Sequence, residues 1–267
     1  MASKFILIQL FLFSFSLLNF QIASAKQAKT INLSIDHIMK MKSVESLALS
    51  PDSKWIAYVV TRVDEEKDKK FSQIHITSID GKSTLPMTAV YMNASDPQWS
   101  PDGKYLAFLG VRGTDKDTEN QVWTLDLRGG EAVQFTNVPQ GVNSYRWSPD
   151  GTKMALVIKD AKPQTNAPDE NSSNEKLEPF VIDRLQFKKD YVGYLDRRRT
   201  HIYIKNGNEK PIQITFGDYD DSDPQWNPDN KLIAFVSKRE GDPDANNNSD
   251  IWVVDSSDDK KNRELKK

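Results

Sequence analysis

Three consecutive arginines are the residues of this chain best suited to contact a substrate. Arg197, Arg198 and Arg199 follow a polar stretch and precede a β-branched run. A guanidinium group can hold a carboxylate through two parallel hydrogen bonds, so these side chains are candidate contacts for the carboxylate of a peptide. A solvated hairpin tip also explains three adjacent arginines. The sequence leaves both interpretations open.

Aspartates are concentrated in one short run, which raises the question of calcium. The run contains Asp218, Asp220, Asp221 and Asp223. Hard cations favour clustered carboxylates, but the glycine and the distal glutamate of an EF-hand loop are missing here. A second polar run, at 242–248, lacks the same features. We therefore expect Asp-rich turns, no metal site and no cofactor.

The chain lacks the residue patterns of a hydrolytic active site. It has no cysteine and no Gly-x-Ser-x-Gly nucleophile elbow. Its three histidines are His37, His75 and His201. The last two occupy equivalent places in β-rich segments, where packing or hydrogen bonding within a sheet is the simpler interpretation. We predict no catalytic residue in this chain.

A ten-residue pattern occurs four times and supplies the framework for these residues. The copies read LSPDSKWIAY, WSPDGKYLAF, WSPDGTKMAL and WNPDNKLIAF. Such self-similarity indicates a repeat architecture. The tryptophans are expected to pack between repeats. The positions predicted to be structural are Trp99, Pro101, Asp102, Trp147, Pro149, Asp150, Trp226, Pro228 and Asp229.

Each copy predicts a type I turn followed by a strand. Proline presets φ at the second position, aspartate suits the third, and glycine follows. Asn230 replaces that glycine more easily than Ser53 does. The strand after the turn carries apolar residues on both faces, which favours a sheet that is buried on both sides.

A further strand follows each copy, three of the copies lead on to one more strand, and together these strands predict the blades of a β-propeller. The runs QIHITSID, QVWTLDLRGG, HIYIKNG and DIWVVD alternate and are β-branched or aromatic. We predict an all-β partial propeller of about four four-stranded antiparallel blades; four matched copies disfavour a β-sandwich. The predicted blades cover about 47–90, 95–138, 144–216 with an insertion at 159–200, and 222–267, which is incomplete.

The N-terminus predicts export. Lys4 precedes an apolar run at 5–20 and a small-x-small pattern at 23–25, which are the features of a secretory signal peptide covering 1–25. The run is too short to favour an uncleaved anchor helix. We expect a periplasmic or extracellular protein with no membrane segment after cleavage.

The segment at 26–46 is predicted to be a helical lead-in to the blades. Ser34 is suited to cap a short helix that extends to Met41. The formal net charge of the chain is −2, from 36 basic and 38 acidic residues. These charges are spread along the chain and therefore indicate no nucleic-acid partner.

Three passages resemble the N-terminal propeller of serine peptidases of the prolyl-oligopeptidase family, in the acylaminoacyl-peptidase and dipeptidyl-peptidase-like branch. They are the WSPDG repeats, IDRLQFKKDYVGYLDRRRTHIYI, and FGDYDDSDPQWNPDNKLIAFVSKREGDPDANNNSDIWVVD. The repeats alone are moderately specific, because the Tol-system translocation propeller shares them. The resemblance covers roughly 34–255.

The resemblance implies a propeller of about seven or eight blades over an α/β-hydrolase domain. It places a Ser-Asp-His triad in the hydrolase domain and lets the propeller restrict entry to short peptides. The expected partners are therefore the hydrolase domain of the same protein and a peptide substrate. A stand-alone exported propeller that binds a protein partner, as in the Tol system, is the alternative.

Overall fold

The structure is a computed structural model that describes residues 32–112, 119–162, 182, 184–190, 193–241, 248–257 and 265–267. The predicted signal peptide and most of the predicted insertion loop lie outside the described residues. The chain divides into two compact units, residues 1–39 and 40–267. No helix in the described ranges is long and apolar enough to cross a membrane.

The described part of the first unit contains one short helix, α1 (Ile35–Met39). The Ser34 hydroxyl accepts a hydrogen bond from the His37 backbone N–H (3.4 Å) and lies 2.8 Å from His37 Nδ1. The helix is shorter than predicted, since the chain already pairs as a strand from Ser43 onward. All five helical residues are exposed.

In its described residues, the second unit contains four successive antiparallel sheets with their strands in chain order and one separate two-stranded hairpin, and this confirms the all-β blade architecture. Blade 1 contains β1 (Ser43–Leu49), β2 (Trp55–Asp64), β3 (Lys69–Ser78) and β4 (Thr84–Pro86). Blade 2 contains β5 (Ser95–Trp99), β6 (Tyr105–Gly110), β7 (Gln121–Asp126) and β8 (Val133–Gln134). A single 3₁₀ turn, Val90–Met92, links them.

Blade 3 is interrupted by the insertion, and blade 4 has three full strands. Blade 3 contains β9 (Ser144–Trp147), β10 (Lys153–Lys159), β13 (Thr200–Asn206) and β14 (Ile212–Gln213), with the inserted hairpin β11 (Lys188–Lys189) and β12 (Gly193–Tyr194). Blade 4 contains β15 (Asp221–Trp226), β16 (Leu232–Ser237) and β17 (Asp250–Asp255). Lys266 adds one antiparallel bridge to Val253, in the place of a fourth strand.

The repeated turns share one hydrogen-bond arrangement. In blade 2, the Gly103 N–H donates to the Ser100 carbonyl oxygen (2.8 Å). The Ser100 hydroxyl donates to Asp102 (2.7 Å) and accepts from the Tyr105 N–H (2.9 Å). The same contacts recur in blades 1 and 3, and Asn227 Oδ1 replaces the serine hydroxyl as the acceptor in blade 4. The Ser/Asn-Pro-Asp pattern therefore encodes a turn that closes on itself.

Burial on both faces holds for the two inner blades only. The second strands of blades 2 and 3, β6 and β10, are buried almost throughout. Their counterparts in blades 1 and 4, β2 and β16, alternate between buried and more exposed residues. The prediction of two-sided burial in all four strands was therefore wrong for the outer pair. In the described residues, each outer blade packs against a neighbour on one side only, as three separate apolar clusters show.

The first strands of successive blades lie next to one another, so they form the inner side of the arc. β1 contacts β5, β5 contacts β9, and β9 contacts β15. The turns that follow these strands also meet. A Cβ on Gly103 would lie 3.8 Å from Pro51, and a Cβ on Gly151 would lie 3.4 Å from Pro101. The repeated turns thus line one end of the blades, and the blade-connecting segments lie at the other end.

Candidate functional site

A charged cluster lies between blades 3 and 4, at the end opposite the repeated turns. Antiparallel register explains its position, because the start of β13 pairs with the end of β10, and the start of β15 pairs with the end of β16. Four strand ends and the loops beside them therefore converge. We call this group the junction cluster, and it comprises Asp160, Arg184, Arg199, His201, Asp218, Asp220, Asp221 and Arg239.

The centre of the junction cluster is a buried ion pair. Asp221 is fully buried, and Arg239 Nη2 donates to both of its carboxylate oxygens (2.6 and 2.8 Å). Burial alone would raise the pKa of Asp221, but hydrogen bonds from His201, Thr215, Ser237 and Arg239 hold that pKa below its ordinary value. Asp221 is thus a charged anchor inside the blade interface.

His201 lies between two carboxylates of the cluster. Its Nδ1 is 3.4 Å from Asp221 Oδ2, and its Nε2 is 3.7 Å from Asp160 Oδ1. The ring is only 3% exposed. A general base must reach a substrate proton, whereas this ring is enclosed by protein groups. The geometry therefore favours a packing and hydrogen-bonding role.

Arg199 ties the inserted segment to blade 4. Its Nε donates to Asp218 (2.8 Å) and its Nη1 to Asp220 (3.1 Å). Its backbone N–H donates to the Asp160 carboxylate (3.0 Å), and Arg184 also binds Asp218. Paired guanidinium–carboxylate contacts combine charge with fixed geometry. The cluster therefore ties Arg184 and Arg199 to the segment that precedes β15.

The three adjacent arginines have different environments. Arg199 is an internal member of the cluster, and its side chain is 17% exposed. Arg198 donates to Asp196 (2.6 Å), which Lys159 also contacts at 2.9 Å. Arg197 is exposed. Of the three residues, Arg197 is the most exposed.

The sequence singled out the arginines and the aspartate run, but as separate features. The structure joins them through Arg199 and adds three residues that the sequence reasoning missed, Asp160, Arg184 and Arg239. Asp160 and Arg239 lie just past a strand end, and no local pattern distinguishes any of the three. In the described ranges, no group of three or more acidic or histidine side chains is arranged to hold a metal ion.

The repeat residues lie at the interfaces between blades. Trp99 Nε1 donates to the Ala48 carbonyl oxygen (2.9 Å), and Trp226 Nε1 donates to the Arg146 carbonyl oxygen (3.2 Å). Trp147 packs in the cluster between blades 2 and 3, but its Nε1 has no hydrogen-bond partner. Each indole therefore faces the preceding blade.

A small pocket of about 280 Å³ is lined by the segment that links blades 1 and 2 and by residues of blade 2. Arg112 and Glu131 are among the lining residues, and their charged groups are 3.7 Å apart. This volume is at the lower limit of typical ligand sites. The sequence analysis did not predict the pocket.

Comparisons with known proteins point to peptidases. No protein-family model matches the chain. It is 29% identical over 225 residues to the uncharacterized peptidase YuxL of Bacillus subtilis, covering 83% of this chain and 34% of that protein. It is 26% identical over 235 residues to dipeptidyl-peptidase 5 of Porphyromonas endodontalis, covering 82% of this chain and 33% of that protein. The chain thus spans about a third of the length of these curated relatives.

Over a shorter stretch, the chain also matches a protein of the Tol-Pal system. The chain is 29% identical over 160 residues to the Tol-Pal system protein TolB of Francisella tularensis, covering 53% of this chain and 34% of that protein.

A solved structure shares the fold of the chain. The Pyrococcus horikoshii acylaminoacyl peptidase superposes with a TM-score of 0.59 at 20% identity, covering 80% of this chain and 31% of that chain. In sequence, this chain is therefore similar to about a third of two peptidases, and its fold is that of the matching third of an acylaminoacyl peptidase.

Proposed function

We propose that the chain is the non-catalytic, substrate-gating propeller of an exported serine peptidase of the prolyl-oligopeptidase family. The observation that carries this proposal is the match of more than four fifths of the chain to one third of two peptidase relatives. The sequence has no nucleophile elbow, so the chemistry belongs to an α/β-hydrolase domain of a longer protein. The propeller would admit short or N-terminally blocked peptides.

The arginines have distinct roles in this proposal. Arg197 is exposed and would contact the carboxylate of a peptide substrate. Arg198 and Arg199 are engaged by Asp196 and by the junction cluster. They would position the segment that presents Arg197 rather than bind substrate themselves.

The test uses the full coding region that contains this chain, expressed alongside the chain alone. The longer product should hydrolyse dipeptidyl or acylaminoacyl chromogenic substrates, and the chain alone should not. Arg197→Ala in the longer product should raise KM for short peptides with a free C-terminal carboxylate and leave kcat unchanged. Lys210→Ala, at another exposed position, is the matched control. Robust hydrolysis of these substrates by a clean preparation of the chain alone would contradict the proposal.

A stand-alone exported propeller that binds a protein is the second candidate, and the match to TolB favours it. It requires the chain to fold alone into a monodisperse protein with a native near-ultraviolet circular dichroism spectrum. Aggregation or a molten near-ultraviolet signal at neutral pH would reject this candidate.

A further inference from the structure

The pentapeptide SDPQW occurs twice, at 95–99 and 222–226, and folds in the same way each time. Both copies form the first strand of a blade, and both contain a β-bulge before the glutamine. The aspartates within the bulges, Asp96 and Asp223, have positive φ angles of 47° and 51°. A β-bulge can re-aim a side chain.

In blade 2, the pentapeptide binds the first strand of the next blade. Gln98 Nε2 donates to the Tyr145 carbonyl oxygen (2.8 Å), and the Tyr145 hydroxyl donates to the Asp96 carbonyl oxygen (2.8 Å). Tyr145 is fully buried. Trp147 of the same strand has no hydrogen-bond partner at Nε1. At this interface Tyr145, and not Trp147, therefore hydrogen-bonds to the pentapeptide.

The other two blade interfaces use tryptophan for the corresponding contact. Trp99 reaches the carbonyl oxygen of Ala48 in β1, and Trp226 reaches that of Arg146 in β9. Neither β1 nor β9 contains the SDPQW sequence. Tyrosine thus makes the hydrogen bond at the interface where the preceding blade contains SDPQW, and tryptophan makes it at the two interfaces where the preceding blade does not.

Blade 4 presents the same pentapeptide with its contact groups uncovered. Asp223 and Gln225 are exposed, and in the described part of the chain the Gln225 side chain makes no hydrogen bond. We propose that SDPQW of blade 4 is a docking site for the first strand of a further blade, one with tyrosine two residues before the tryptophan of its turn. The inference rests on the proposed function, because the longer peptidase would supply that blade.

A second copy of this chain is a poor fit to the same site. The repeat alignment places Leu47 and Leu49 of β1 where Tyr145 and Trp147 stand in β9. Leucine can donate no hydrogen bond to the Asp223 carbonyl oxygen. Blade 1 of another copy would therefore leave the Asp223 carbonyl oxygen without this hydrogen bond.

The probe is a synthetic peptide with the sequence of residues 141–153, GVNSYRWSPDGTK, titrated into the isotope-labelled chain. We expect saturable NMR shifts at the Gln225 side-chain amide and along 222–226. The same peptide with Tyr145→Phe should bind about fivefold more weakly, the effect of one lost hydrogen bond. Gln225→Ala should weaken binding of the first peptide by a similar factor, and Gln134→Ala, at an exposed position in β8, should not.

Three results would overturn the docking site. They are no saturable shift at millimolar peptide, equal binding of the tyrosine and phenylalanine peptides, and binding that is insensitive to Gln225→Ala. Self-association of the chain by sedimentation at the same concentrations would instead assign the face to a second copy. Hydrolysis by the longer product is measured independently. An active longer product, together with no binding of the peptide to the chain, would reject the docking site and leave the proposed function unaffected.

Discussion

At the scale of single residues, the Asp221–Arg239 pair is the most consequential contact in the described structure. Asp221→Asn leaves the buried Arg239 guanidinium without its counter-charge, and loss of one partner of a buried pair costs about 3–5 kcal/mol. Asp218→Asn is the matched control, because the Asp218 side chain is 62% exposed and should cost about 1 kcal/mol or less. Urea unfolding followed by tryptophan fluorescence measures both. Equal losses in the two variants would contradict a buried anchor.

The same carboxylate predicts how stability depends on pH. The pKa of Asp221 is lower in the folded than in the unfolded chain, so its contribution is fully present above about pH 4 and is lost as the pH falls through the folded-state pKa. The free energy of unfolding should decline below pH 4, with a shallower slope in Asp221→Asn. The exposed Asp102 and the partly buried Asp126, whose pKa values are also lowered, are common to both proteins. Equal slopes of the free energy of unfolding against pH in the two proteins would exclude Asp221 as a contributor to the pH dependence.

The residue types of the site were predictable from the sequence, but their arrangement was not. The arginines and the aspartate run stand out by composition. Their contact depends on antiparallel register, which brings Thr200 next to Lys159 and Asp221 next to Ser237. Arg239 completes the cluster from a loop with no recognisable pattern, so only the folded chain identifies it.

At the scale of elements, one copy of the repeated turn is expected to be less stable than the others. The fourth residue of the turn is left-handed in every repeat, with φ of 58° at Ser53, 69° at Gly103, 71° at Gly151 and 62° at Asn230. Ser53→Gly should stabilise the chain by about 0.5–1 kcal/mol, because an L-residue in this conformation costs about 1–2 kcal/mol. Gly103→Ala should destabilise it by a similar amount, since the new Cβ meets only Pro51 at 3.8 Å. Thermal unfolding tests the pair, and opposite signs are the expected result.

The blade interfaces predict unequal effects for two equivalent tryptophans. Trp99→Phe removes a hydrogen bond to the Ala48 carbonyl oxygen, whereas Trp147→Phe removes a donor that has no partner. Trp99→Phe should therefore be more destabilising by about 0.5–1.5 kcal/mol, the net value of one hydrogen bond. Chemical denaturation of both variants provides the comparison. A larger loss in Trp147→Phe would contradict the assigned interfaces.

At the scale of the whole molecule, the sequence predicted the blades because each repeat carries its own turn and its own strands. It did not predict which faces are covered, because the apolar pattern of a strand is the same whether one neighbour or two are present. β6 and β10 have neighbours on both sides, whereas β2 and β16 retain one more exposed face. Blades that cannot bury both faces alone depend on adjoining repeats.

The coding sequence on the 3′ side of the Lys267 codon provides the most direct test of the central claim, that this chain is the propeller of a serine peptidase. Translated in frame, it should contain further WSPDG-type repeats, one of them with tyrosine two residues before the tryptophan, followed by a Gly-x-Ser-x-Gly elbow and an α/β-hydrolase pattern. A stop codon directly after Lys267, or a long reading frame with no such elbow, would contradict the peptidase assignment and favour the protein-binding propeller.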